Sequence, residues 1–391
     1  MAGIEDVNAA WNSFCDELKS LGPQLQRLEH AGTGDEAAES LQFATRVLRG
    51  ALDYRLDGFD PLQPRLLWWD RVTAGASPYA PNIDNTYLAA KIDGRETYRL
   101  SIPVATIDEM IVSVHAGDPA DGTHEKWGDL CLRDLEVVDG RMDLVLSGDA
   151  HDGNWLEIPP RAQWLFVRLY YFDWERGAPP AASLVCTSAR GRSTGKVSAD
   201  ALVAGFADAA RWMRMSIVTG QQFKDRFLSR AAGPNVFSEP EREAAGPPII
   251  RYGGTEFDLA PDEALVMEFE PPDGPYWIVQ WHRLPWGDSA DFLNHITSLN
   301  NRQARVDSDG RVRIVFAHAD PGVQNWISTE TRRNGIIIYR WLWSTDAPVP
   351  RGRVVPFAGV RGVLPGDTPG FSERARGDQL AVRREHLLRR Y

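Results

Sequence analysis

Cysteine is scarce in this sequence: three residues in 391, Cys15, Cys131 and Cys186, at wide and uneven spacing. No Cys-x-x-Cys pair or Cys/His cluster occurs, so neither a disulfide framework nor a zinc site is indicated. No apolar run approaches the length of a membrane span, and no membrane partner is expected. Positive charge is in deficit: 43 Lys and Arg against 54 Asp and Glu leave a net charge of −11. Nucleic acid is therefore not the default partner, because phosphate binding needs a basic footprint. The opening MAGIEDVNAAWNSF lacks the basic start and apolar core of a signal peptide, which makes the cytoplasm the expected location. There is no GxGxxG, no P-loop and no GxSxG elbow in a suitable context. ARGRSTGKVS from Ala189 has only the Gly195-Lys196 pair of a Walker loop and reads as a linker. No motif indicates a cofactor.

What is present begins with helical spacing. Val7, Trp11, Phe14, Leu18 and Leu21 recur at three and four residues. Gly22-Pro23 is expected to interrupt this helix, and Gly32 to Gly34 to end it. A second helix is predicted through DEAAESLQFATRVLRGALDYRL, burying Leu41, Phe43, Ala44, Val47, Leu48 and Leu52. From about Tyr87 the texture changes to strands, ETYRLSIPV, EMIVSVHAG, LCLRDLEVV, MDLVLSG and WLFVRLYYFDW, with turn chemistry such as Asp139-Gly140 between them. A helix capped by Ser198 follows, with Leu202, Phe206, Ala209 and Met213 along one face. Strands resume near Ala264 with ALVMEFEPP, YWIVQWHRL, QARVDSDGRVRIVFAH and GIIIYRWLW. The basic ending RREHLLRRY reads as a solvated helix terminus.

Two stretches resemble each other: VVDGRMDLVLSGDAHDGNWLEIPPRAQWLFVRLYYFDW and DSDGRVRIVFAHADPGVQNWISTETRRNGIIIYRWLW. Each has an Asp-Gly-Arg turn, an alternating strand, an acidic loop, an Asn-Trp pair and a last strand carrying an arginine among aromatics. A repeat at this period implies two similar domains. The expected organisation is a helical segment over 1–75, a first β-sandwich over 76–195 and a helical connector over 196–232. A second sandwich over 245–350 and a tail over 351–391 with a short basic helix complete it.

A feature present in both halves serves the shared fold before it serves chemistry. Asn154-Trp155 and Asn325-Trp326 therefore read as turn caps with a tryptophan packed beneath, and Arg168 and Arg340 as ion-paired or snorkelling. His282, His295 and His318 have no evident match in the first half. His318 and Asp320 alternate onto one face of a strand end, where an oriented histidine can act as a general base; they are the candidate catalytic pair. The bland alternative is a hydrogen-bonded filler. His282, His318 and Asp320 would make a two-histidine, one-carboxylate metal set, but no two histidines show short ligand spacing, so no metal is expected. Asn82, Asp84, Asn85 and Tyr87 crowd the loop entering the first strand, either as a polar site wall or as an Asx turn that starts the sheet. Ser298, Asn300, Asn301 and Gln303 supply amides and a hydroxyl that line a pocket or satisfy a buried loop.

The strings AHADPGVQNWISTETRRNGIIIYRW, NIDNTYLAAKIDGRETYRL and GNWLEIPPRAQWLFVRLYYFDW, with the helical opening and LAVRREHLLRRY at the close, resemble a bacterial family of uncharacterised proteins. That family is related to the DUF1214 domain, often paired with DUF1254, and the resemblance covers nearly the whole chain. It implies jelly-roll-like β-sandwiches and supplies no catalytic residues; the lack of a signal peptide separates this chain from exported DUF1254 relatives. The resulting expectation is a mainly β protein, two tandem jelly-roll-like sandwiches plus an N-terminal helical layer. Such a fold would bind a small hydrophobic or cyclic metabolite in a cleft and could also transform it. Asp84, Asn85, Tyr87, Trp281, His282, Asn301, Asn325, Trp326 and Arg340 are the candidate lining residues. The competing class is a non-catalytic assembly protein, a homo-oligomer in which every motif is structural.

Overall fold

The structure, a computed structural model, describes residues 1–29, 34–56, 60–68, 80–117, 125–192, 198–243 and 247–390. The Gly195-Lys196 pair, Gly32 and the expected boundary at residue 75 lie outside them. The chain divides into two compact units. Unit 1 comprises Met1–Pro81, Asn85–Tyr171 and Pro179–Gln221; unit 2 comprises Asn82–Asp84, Phe172–Ala178 and Gln222–Tyr391.

Unit 1 opens with helices α1 (Ile4–Glu29) and α2 (Gly34–Arg55). Strands β1 (Leu67–Trp68), β2 (Asn85–Lys91), β3 (Tyr98–Pro103), β4 (Glu109–Ala116) and β5 (Glu125–Cys131) follow. Next come β6 (Arg141–Ser147), β7 (Trp155–Glu157), β8 (Ala162–Tyr170) and β9 (Ser183–Cys186). Helix α3 (Ala199–Leu228), capped by Ser198 Oγ on the Ala201 N–H at 3.1 Å, carries the chain across the division. One sheet runs β1-β2-β8-β4-β5 and the other β7-β6-β3-β9, with Leu88, Val112, Val167, Leu100, Leu144 and their neighbours buried between them.

Unit 2 is built the same way. Its strands are β10 (Ile250–Asp258), β11 (Glu263–Phe269), β12 (Tyr276–His282), β13 (Ser298–Asn300) and β14 (Val312–Ala317). They continue with β15 (Trp326–Ser328), β16 (Asn334–Leu342) and β17 (Arg351–Pro356), then the single turn α4 (Val360–Val363) and α5 (Glu373–Arg390). The sheets run β10-β16-β12-β13 and β15-β14-β11-β17, which repeats the pairing order of unit 1, including the parallel pair β6–β7 as β14–β15. Phe257, Phe269, Trp277, Trp281, Phe316, Tyr339 and Trp341 fill the space between the unit 2 sheets. At about 1.5–3 kcal/mol for each large apolar side chain buried, this aromatic packing is a leading source of stability. Both units are jelly-roll-like β-sandwiches, and the helices of the opening segment pack on each other as a layer.

Several local expectations are corrected. Helix α1 runs unbroken through Gly22-Pro23. A proline inside a helix costs about 3 kcal/mol, and burial of the flanking Leu21 and Leu25 offsets it. Leu41 of the predicted stripe is exposed. The run LCLRDLEVV leaves the sheet at Cys131 for a 3-10 turn, from which Leu132 and Leu135 still pack on the core. Strands in unit 2 resume at Ile250 rather than Ala264. Gly253-Gly254 lies within β10: a Cβ on Gly253 would lie 2.2 Å from the Tyr339 hydroxyl, so only glycine admits that ring. The tail contributes β17, an edge strand whose arginines are exposed. Finally, α5 is a long helix whose Arg376, Arg383, His386 and Arg390 are buried, not a solvated end.

Candidate functional site

The site grows from the loop before β2. Asn82 Oδ1 accepts the Asp84 N–H at 2.9 Å, an Asx turn. Asp84 is fully buried in unit 2. Its Oδ1 accepts the Trp174 indole N–H at 2.9 Å, and its Oδ2 accepts the Tyr276 hydroxyl at 2.8 Å and Asn300 Nδ2 at 2.6 Å. Asn82 Nδ2 donates to the Tyr276 hydroxyl at 3.0 Å, and Asn300 Nδ2 also reaches Phe172 O at 3.0 Å. Burial pushes the Asp84 carboxyl above the usual carboxylate range; the Asn300 and Tyr276 bonds and the charges of Arg383 and Arg390 oppose it.

Those charges come from α5. Arg376, Arg383 and Arg390 recur every seven residues, which puts them on one helical face with Leu380 and Leu387. Each satisfies a different buried group. Arg376 binds Asp320 through Nε at 2.9 Å, and its guanidinium carbon sits 4.9 Å from the Trp326 ring and 4.5 Å from Phe371. Arg383 donates to Ser298 O and Oγ at 3.2 Å each and lies 4.2 Å from the Trp174 ring; burial lowers its pKa to about 10. Arg390 donates to Ile83 O at 2.6 Å and to His386 Nε2 at 3.4 Å. His386 Nδ1 donates to Gly177 O at 3.1 Å, and its ring stacks on Trp174 at 4.8 Å. Burial and the Arg390 and Arg389 charges lower its pKa to about 3, so this imidazole is neutral.

A cleft of about 340 Å³ opens in unit 2, with Phe172, Trp174, Gln303, Gln324, Gln379 and Arg383 on its walls. Trp174 and Arg383 thus belong both to the wall and to the network that holds Asp84. Asp84 itself does not line the cleft.

Of the residues singled out in the sequence, Asn82, Asp84, Ser298 and Asn300 join this network and Gln303 lines the cleft, whereas the remaining candidates fall elsewhere. His318 Nδ1 meets Thr329 Oγ1 at 2.6 Å and its Nε2 donates to Ala260 O at 3.1 Å, while Asp320 accepts the Gly322 N–H at 2.8 Å and Arg376. The two side chains are taken up in separate networks. Trp281 is in the core, its indole N–H on Ser328 O at 2.8 Å. His282 is fully buried, and burial together with the Arg340 charge keeps it well below the usual histidine range. His282 also has a counterpart after all. The register of β12 on β16 and of β4 on β8 puts His282 and His115 four residues past Ile278 and Ile111, which face Arg340 and Arg168. In both units that arginine lies near a tyrosine, Arg168 6.0 Å from the Tyr87 ring and Arg340 5.7 Å from Tyr252. The match is legible in the sequence, where Ile111-Val112 and His115 recur as Ile278-Val279 and His282 at the same spacing.

Asn325 and Trp326 form a clamp that unit 1 repeats. Asn325 accepts the Arg305 N–H and donates to Arg305 O and Arg313 O; Asn154 accepts the Glu136 N–H and donates to Glu136 O and Asp143 O. Trp326 and Trp155 donate to Ala317 O and Ser147 O at 3.1 and 3.2 Å. The space beside Asn325 is about 10 Å³, about that of one water. Asn301 donates to Pro275 O at 2.9 Å, and His295 Nδ1 lies 3.4 Å from Ser328 Oγ. Asn85 and Tyr87 belong to unit 1. Among the described residues no group of three or more His, Cys, Asp or Glu could hold a metal ion, and no helix is long and apolar enough to cross a membrane. Trp174, Tyr276 and the α5 residues were missed. The seven-residue spacing of arginines was the available signal.

Residues 255–346 match the family described as a protein of unknown function, DUF1214. The crystal structure of an uncharacterised protein from Burkholderia cenocepacia is similar over 90% of this chain and 97% of its own, with 30% identity and a TM-score of 0.82. A protein from Vibrio parahaemolyticus, 13% identical, aligns over 81% of this chain and 98% of its own with a TM-score of 0.48. No curated protein matches the chain.

Proposed function

This chain belongs to the DUF1214 family, which is described as of unknown function, and we propose from the geometry of unit 2 that it binds a small cyclic molecule in the Trp174–Arg383 cleft. The observation that carries this is a pre-organised wall. Trp174 is held by Asp84, Arg383 and His386 at once, so ligand binding would pay little to order it. The volume, about 340 Å³, falls within the 300–1,000 Å³ typical of small-molecule sites. The space between the unit 2 sheets is filled by buried side chains, tryptophan, phenylalanine and tyrosine among them. Binding is favoured over chemistry, because Asp84, the perturbed carboxyl, stands behind the wall with both oxygens engaged.

Native mass spectrometry of the protein as purified, paired with the variant Val382→Trp, tests the reading. Val382 lines the cleft, is half-buried on α5 and makes no hydrogen bond to Asp84, so an indole there fills the space while every polar partner of Asp84 is kept. A small molecule retained by the unaltered protein and missing from the variant supports the proposal. An occupant kept equally by both places binding elsewhere and refutes it.

A further inference from the structure

We infer that the ligand of this cleft is a neutral polyhydroxylated ring, of the sugar class; the inference rests on the cleft reading above. Three glutamine amides on the wall are each fixed at one end and open at the other. Gln303 Oε1 accepts the Asn300 N–H at 3.2 Å, Gln324 Nε2 donates to Gln303 O at 3.3 Å, and Gln379 Oε1 accepts Arg376 Nη1 at 2.6 Å. That leaves Gln303 Nε2 and Gln379 Nε2 as donors and Gln324 Oε1 as an acceptor, none with a partner among the described residues. The carboxylates of Glu175 and Asp378 add further acceptors without partners of their own among those residues.

A fixed mixture of donors and acceptors suits a hydroxyl, which does both, and suits several adjacent hydroxyls best. A purely apolar ring would strand these groups, and a buried unpaired polar group costs about 1–3 kcal/mol. The charge balance argues against an anion. Asp173, Glu175 and Asp378 stand against Arg302 and Arg383 on the wall, and Arg383 is already engaged with Ser298 beside the Asp84 charge. Phe172, Phe371 and Val382 supply apolar surface for the C–H face of a ring. The anchored ends hold each amide in place before the ligand arrives, which lowers the entropic cost of binding.

The test is saturation-transfer NMR on the full chain with glucose, galactose, mannose, N-acetylglucosamine and their disaccharides, alongside benzoate and naphthol as rings without vicinal hydroxyls. At least one sugar is expected to receive saturation from the protein. Gln303→Leu and Gln379→Leu, checked for folding by circular dichroism, are each expected to weaken its affinity about three- to tenfold, the loss of one hydrogen bond. Val382→Trp is expected to abolish it. Benzoate or naphthol binding that Val382→Trp abolishes, with no sugar bound, overturns the sugar assignment and leaves the cleft reading standing. No transfer to any probe, or sugar transfer that all three variants leave unchanged, overturns both.

Discussion

Replacing Asp84 with asparagine keeps the volume of the side chain and removes its charge. In the native arrangement Oδ1 faces the Trp174 N–H and Oδ2 faces Tyr276 and Asn300. An amide offers one carbonyl oxygen, so one end of the variant turns an NH₂ toward a donor. Hydrogen bonds to a charged partner contribute about 1.5–3 kcal/mol each. Arg383 feels the Asp84 charge without an ion pair to it, so losing that charge adds to the cost. Relief of the desolvated carboxylate offsets part of this, giving an expected loss of about 2–3 kcal/mol at neutral pH. Urea unfolding followed by tryptophan fluorescence would read it as a lower midpoint at unchanged slope. The pH dependence has a definite sign. Asp84 has a raised pKa in the fold, so the native state holds its proton where the unfolded state has released it. That contribution is fully present below the unfolded value of 3.8 and is lost as pH rises through the raised one. The gap between native protein and Asp84→Asn should therefore be wider at acid pH than at pH 8. A loss under about 0.5 kcal/mol, within the scatter of ordinary surface substitutions, or a gap that widens with pH, would refute the account of this network.

Other substitutions probe the same structure. His386 is held neutral in the fold, so it contributes stability above its unfolded value of 6.5 that is lost as pH falls toward about 3; the variant His386→Phe should flatten the stability profile over that window, and its NMR ring signals in the native protein should not titrate between pH 8 and 5. His318→Ala should lower stability by about 1–2 kcal/mol, by stranding Thr329 and Ala260 O, and leave ligand retention in native mass spectra unchanged; lost retention would return His318 to the site. Asn154→Ala and Asn325→Ala each break the same three backbone bonds. Thermal melts should show similar losses of about 2–3 kcal/mol, and a markedly unequal pair would mean that one clamp does something besides hold a turn.

The sandwich architecture could be read from residues because local rules were enough. Alternation in MDLVLSG and VRIVFAH puts apolar side chains on one face, and the Asp-Gly turns before them set the register. The Asn-Trp pairs also declared their role, since the same residues recur at the same place in a repeated pattern. Where local rules misled, a tertiary neighbour had overruled them. Pro23 stayed helical because its neighbours are buried, and the tail supplies β17, a charged edge.

The site obeyed no local rule. Asp84 was visible as a polar residue in a turn, but its partners lie far away in the chain: Trp174, Tyr276, Asn300, Arg383 and Arg390. A buried charge is tolerable only when distant groups neutralise and hydrogen-bond it, and no spacing within a segment records that match. Likewise the arginines of α5 resemble a solvated stripe until Asp320, Ser298 and Ile83 O are brought against them. Residue order alone therefore determined the sheets and the repeat, through periodicity and turn chemistry. Which polar groups are buried together, and the cleft they support, was decided only when long-range packing set the dielectric and the partners of each charge.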